Sequence, residues 1–227
     1  MRKRSSRIVL LLSIIALGAF SRCCFAAVPP AESTSTSALE NKDSGKQETS
    51  IGSLLADAFR AAAHSDVAFV SAGDLKKTTD PLPAGKVQSD DVSALIAYPD
   101  DRIVVLALDG RKIREALETS VATYPRPGLG FLQVSGLTFS FDPSKPTGSR
   151  VGSIAVGGRP IADDQAYTVA MVSSLADGAL GYWKVWSKRN VVSKAASLIS
   201  TSAVDSYFRT NPKLDYSTLN RILLANQ

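Results

Sequence analysis

Gly128-Leu129-Gly130-Phe131-Leu132-Gln133-Val134-Ser135-Gly136-Leu137-Thr138-Phe139-Ser140-Phe141-Asp142 lies at the centre of a 227-residue chain and carries two periodicities. Leu137, Phe139 and Phe141 alternate with Thr138 and Ser140, the period of a strand that buries one face. Leu132 and Val134 alternate in the opposite phase, and Gly136 stands where the phase slips. A glycine at such a slip implies a bulge that re-aims the chain. Phe131 follows a Gly-rich turn at the mouth of the strand. By residue type its ring belongs to the core; at the mouth it would be a platform for a flat ligand.

The flanking segments supply partners for that strand. Ile51, Leu54, Leu55, Ala58, Phe59 and Ala62 recur at helical spacing, predicting a helix over 51–63 with Ser50 as N-cap. Asp66 to Val70 reads as a buried strand that ends in a turn, Ser71-Ala72-Gly73-Asp74. Ser89 is expected to cap a short helix reaching Ala97. Arg102 to Leu108 is apolar on both parities, as a strand covered on both faces would be. Asp109-Gly110 leads into a helix with stripe Ile113, Ala116, Leu117, Val121 and Tyr124, stopped by Pro125. Strands are expected at 151–156 and 167–172, with a Gly157-Gly158 hairpin between 151–156 and Pro160-Ile161. Beyond Val172 the chain reads as helical, around 202–209 and 217–224. Helices and strands intermix without strict alternation, so the fold class is α+β, a mixed β-sheet with packed helices.

The N-terminus reads as a separate module. Arg2, Lys3, Arg4 and Arg7 precede an apolar run from Ile8 to Phe20, and Cys24-Phe25-Ala26-Ala27 offers a small-x-small cleavage site. Residues 1–26 are therefore expected to be a signal peptide, with an apolar run too short for stable membrane insertion. Export to a periplasm or the exterior follows. With Arg22, the five basic residues lost with it carry the whole formal charge of +5, which removes any argument for nucleic-acid binding. Cys23 and Cys24 leave as well, so the remainder has no disulfide or thiolate site. Residues 27–47, rich in Ser, Thr, Pro, Glu and Lys, read as a flexible linker ahead of one domain at 48–227.

The order of segments resembles the C-terminal, substrate-binding domain of the 5′-nucleotidase family. The carrying residues are Glu48 with Ile51-Gly52, Leu54 to Arg60, Asp66 to Val70, Pro83 to Val87, Asp109-Gly110 with Leu117-Glu118, Gly130 to Gly136, Tyr167 to Ala170, and the run to Gly181-Tyr182. In that family the C-terminal domain holds the nucleoside between two aromatic rings. A separate, larger domain carries two metal ions and hydrolyses the phosphate ester. The resemblance places the first ring on Phe131 and the family's Asn-Gly-Gly-Gly-Ile-Arg loop on Ser71 to Lys76, through Gly73. The segment with the second ring and a ribose-binding Asp falls on Ser174 to Tyr182. There Ser174 replaces the ring, Leu180 replaces the Asp, and Asp177 stands at the position of the family's Asn. An arginine expected just upstream of Glu48 is absent, because Gly45-Lys46-Gln47 stands there. Tyr182, Trp183 or Trp186 would have to supply a replacement ring.

The expected ligand-binding residues are thus Phe131, Ser71, Gly73, Lys76, Asp177 and Tyr182, with no catalytic residue, no metal site and no cofactor. A two-metal hydrolase needs several convergent His and Asp ligands, and the chain has one histidine, His64, at a helix end. Asp90-Asp91, Asp100-Asp101 and Asp163-Asp164 sit in turns and caps, where adjacent side chains diverge. The expected function is a stand-alone, exported binder of nucleotide, nucleoside or another small ligand. Two alternatives are the substrate-binding half of a nucleotidase completed by a separate metallophosphatase chain, and a structural or interaction module.

Overall fold

A computed structural model describes residues 29–225, and the expected signal peptide lies outside the described residues. Along the chain run β1 (Glu32–Ser35), α1 (Ser50–Ala63), β2 (Val67–Ser71), β3 (Gly85–Gln88), α2 (Ser89–Ser93), β4 (Arg102–Asp109) and α3 (Gly110–Ser120). They are followed by β5 (Leu132–Ser135), β6 (Leu137–Phe141), β7 (Val151–Val156), β8 (Arg159–Pro160), β9 (Ala166–Val172) and α4 (Ser173–Ala176). The last elements are β10 (Val191–Ile199), α5 (Ser200–Thr210), β11 (Lys213–Leu214) and β12 (Ile222–Leu224). The central sheet has the order β10-β4-β9-β2-β5; a second runs β12-β6-β7-β8 and a third β11-β1-β3. Each mixes parallel and antiparallel pairs, which makes the fold α+β.

The two periodicities of the central stretch belong to two sheets. β5 pairs with β2 in the central sheet, while β6 pairs with β7 in the second. Gly136 turns the chain between them at φ +76°, and a Cβ there would lie 2.0 Å from the Asp66 carbonyl oxygen. Only glycine fits both that conformation and that approach. Val67, Ala68, Phe69 and Val70 of β2 are all fully buried, as a strand covered on both faces requires.

Several expectations are corrected. Residues 27–47 are not a free linker where described: β1 is paired on both sides, and Ala31, Ser33, Ser35 and Leu39 are buried. Ser33 Oγ bonds the carbonyls of Phe208 and Asn211, so small polar residues satisfy themselves inside the fold. Their composition resembles a disordered tract because hydrogen bonds, rather than bulk, hold the segment. The N-cap of α1 is Thr49, whose hydroxyl accepts from Gly52 N. Ser50 Oγ instead accepts the N–H of Glu40.

Ser89 likewise does not cap α2, whose cap position is Gln88. Its hydroxyl accepts from Ala31 N and donates to Asp205, joining α2 to α5. Residues 191–199 form a strand, and 217–224 contain β12 rather than a helix. Leu219 and Leu223 mimic a helical stripe yet are both exposed. Glu48 accepts the N–H groups of Arg221 and Ile222, fixing β12 in extended form.

Candidate ligand-binding site

The parallel strands β2 and β9 end at the same edge of the central sheet, where β4 and β5 begin. Four loops therefore meet there. The turn Ala72–Asp74 donates from Ala72 N to the Phe131 carbonyl and from Gly73 N to the Leu129 carbonyl. On its other side, Ala97 N donates to the Asp74 carbonyl and Lys76 N to that of Leu95. Asp101 joins the fourth loop, accepting from Ser173 Oγ and Ser174 N.

Within this cluster the expected residues separate into three groups. Ser71 is buried and donates from both N and Oγ to Asp74 Oδ2, at 2.8 and 2.9 Å. Burial nevertheless pushes the Asp74 carboxyl up to about 6, against the lowering effect of those two bonds. Phe131 is 1% exposed, and Tyr182 is buried with its hydroxyl on the Gly130 carbonyl at 2.6 Å. Tyr182 stacks on buried Trp186 with centroids 4.6 Å apart, and burial raises its phenol well above the ordinary tyrosine value. Phe131 at the mouth and Tyr182 as a replacement ring are thus corrected: both are core residues, drawn inward by apolar area. Lys76 and Asp177 remain at the surface, the first donating to the Ala94 carbonyl at 2.9 Å, the second 3.4 Å from Lys188. Gly73 is the expected residue that faces the loop junction with bare backbone. A Cβ on it would meet Leu180 Cδ1 at 3.2 Å.

Other residues give this end its exposed character. Tyr98 is 62% exposed, Trp183 68%, Leu129 54% and Leu180 42%. Tyr98 carries no periodic signal; its only sequence mark is an aromatic ring in the turn Tyr98-Pro99-Asp100 between helix and strand. Lys184 lies 5.4 Å above the Trp183 ring, which leaves an indole face available to a flat group. Beside Leu129 opens a cavity of about 390 Å³, walled also by Asn41, Lys42, Ser44, Lys77 and Thr78. Asn41 is buried and donates from Nδ2 to the Lys76 carbonyl at 2.8 Å, while its Oδ1 has no partner among the described residues. Gln133, also buried, holds the wall in place, donating to the carbonyls of Ser44 and Gln47 and accepting from Thr49 N. Composition hid Asn41 and Lys42, since both fall in the segment that reads as linker.

Among the described residues no group of three or more His, Cys, Asp or Glu side chains is arranged to hold a metal ion. His64 is exposed and closes α1 in the left-handed conformation at φ 50°.

Residues 27–187 match the family model described as "5′-nucleotidase, C-terminal domain". The chain belongs to this family. Among its relatives are an apyrase of Aedes albopictus, 26% identical over 192 residues, and a 5′-nucleotidase of Diplobatis ommata, 26% identical over 170. These alignments take in 79% and 71% of this chain but 33% and 29% of the relatives, so the chain spans about a third of their length. The fold is also that of a 5′-nucleotidase precursor from Thermus thermophilus. The TM-score is 0.76 at 23% identity, over 87% of this chain and 40% of that one. In all three comparisons the matched part covers 40% or less of the longer protein.

Proposed function

We propose that this chain is an exported 5′-nucleotidase C-terminal-type module that binds a nucleotide, nucleoside or similar small molecule where the four loops meet. It hydrolyses nothing by itself. The observation that carries this reading is Asn41 Oδ1, a buried acceptor without a partner among the described residues, on a side chain that lines a cavity of about 390 Å³. Leaving such an atom unpaired costs about 1–3 kcal/mol, which a ligand hydroxyl or amino group would recover. Lys42 and Lys77 line the same cavity and offer charge to an anionic group, as single ammonium points rather than arginine forks. Tyr98 and Trp183 are the exposed rings on which a base would stack, a contact worth about 1–3 kcal/mol. The ligand class comes from the family, whose relatives are named apyrase and 5′-nucleotidase.

A second reading, that a separate metallophosphatase chain completes a nucleotidase, is favoured by the greater length of those relatives, of which this chain aligns with 33% and 29%. Titrating AMP and adenosine into the protein by calorimetry, and assaying phosphate release from AMP with divalent metal, tests the first reading. Saturable sub-millimolar binding without phosphate release is expected. Turnover by the chain alone overturns the silent module, and no heat at millimolar ligand overturns the binder. Turnover that appears only when a metallophosphatase domain is added supports the second reading.

A further inference from the structure

A second cleft, of about 460 Å³, opens at the opposite end of β5 from Leu132. Its walls are Asp57 and Arg60 of α1, the strand switch at Ser135–Gly136, the Gly157–Gly158 hairpin, Tyr207 of α5 and Arg221. The hydrogen bonds in this wall can be followed donor by donor. Asp57 accepts from Ser135 Oγ, from both Nη atoms of Arg221 and from the Tyr216 hydroxyl. The Tyr216 hydroxyl, donating to Asp57, accepts a hydrogen bond from the Tyr207 hydroxyl at 3.2 Å. Among the described residues no donor reaches the Tyr207 hydroxyl oxygen. Glu48 is occupied elsewhere, by Ser53 Oγ and the backbone of Arg221 and Ile222.

Arg60 stands apart from this saturated network. Its Nε donates to Ser135 Oγ at 2.8 Å, which fixes the plane of the guanidinium. Its two Nη groups meet no acceptor among the described residues, and Asp57, the carboxylate of this wall, is already fully engaged. The floor of the cleft is clear: Gly136 admits no side chain, a Cβ there lying 2.9 Å from Arg60 Cδ, and Gly157 and Gly158 present bare backbone.

We infer that this cleft is a second binding site, for a small molecule bearing a carboxylate or phosphate group, with the free fork of Arg60 as its receptor. A planar guanidinium with two adjacent donors matches such an oxyanion bidentately. Tyr207 would accept a neighbouring hydroxyl of the same molecule. Because Asp57 and Arg221 neutralise each other, recognition rests on the directed fork more than on net charge.

Titration with inorganic phosphate and with succinate, each against chloride at equal ionic strength and followed by the amide shifts of Gly157 and Gly158, tests the site. Saturable shifts are expected with at least one of the two, and the tighter probe identifies the group. Arg60→Gln should weaken binding tenfold or more. Ala61→Glu, on the exposed face of α1 beside the fork, should do the same without touching the core, as an unchanged urea midpoint would show. Absence of saturable shifts in the wild type, or binding that survives both substitutions, overturns the site.

Discussion

Asp74 couples the loop junction to pH. Burial raises its carboxyl from 3.8 to about 6, so between those values the folded chain holds a proton that the unfolded chain has released. Stability therefore falls as pH rises through this window and is level, for this group, on either side. A shift of about two units corresponds to about 3 kcal/mol. Asp74→Asn keeps an acceptor for both Ser71 donors and removes the buried charge. Urea denaturation should find the variant about 1–3 kcal/mol more stable at neutral pH, with the slope across the window lost. At the same junction Leu180 sits in the left-handed region at φ 58°, a conformation that suits Asp better than leucine. Leu180→Asp should raise adenosine affinity about tenfold, or 1.4 kcal/mol, by restoring an acceptor for ribose. An unchanged dissociation constant in calorimetry would mean that Leu180 does not face the ligand.

At the scale of elements, Gly136 decides the architecture. The phase slip in the sequence is visible, but its consequence is larger than a bulge, since the chain leaves one sheet and enters another. Gly136→Ala forces a side chain into the Asp66 carbonyl at positive φ. It should cost about 3 kcal/mol or more, read as a fall in the urea midpoint. The helices α1, α3 and α5 and the strand β6 are legible because each buries a periodic apolar face, and β2, β4 and β9 because each is a short apolar run buried on both faces. β1 and β12 are not legible, because their conformation is imposed from outside. Ser33 is held by carbonyls 175 and 178 residues away, and β12 is held through Glu48. Such distant polar contacts leave no local period.

Over the whole molecule, Arg221 joins the two ends of the chain. It pairs with Asp57 of α1, bonds the Val134 carbonyl in β5 and opens β12. Arg221→Ala would leave a largely buried carboxylate without its cation, and should lower stability by about 3 kcal/mol in urea denaturation. The candidate site was only partly legible for the same reason that the fold was. The resemblance points to the loops of this junction, through Ser71, Gly73 and the segment to Tyr182. It could not say which rings face outward, and Phe131 and Tyr182 proved to be core while Tyr98 and Trp183 stand exposed. Burial depends on the assembled loops, whereas a lone aromatic in a turn has no pattern of its own. Phe131→Ala would consequently report on the core, costing about 3–5 kcal/mol, and not on the ligand. The measurement that bears most directly on the proposed module is calorimetric titration of AMP and adenosine into the wild type, Tyr98→Ala and Trp183→Ala. Binding by the wild type, weakened about tenfold in at least one variant with its urea midpoint unchanged, is the predicted result. Equal affinity in all three proteins, or none in the wild type, would contradict it.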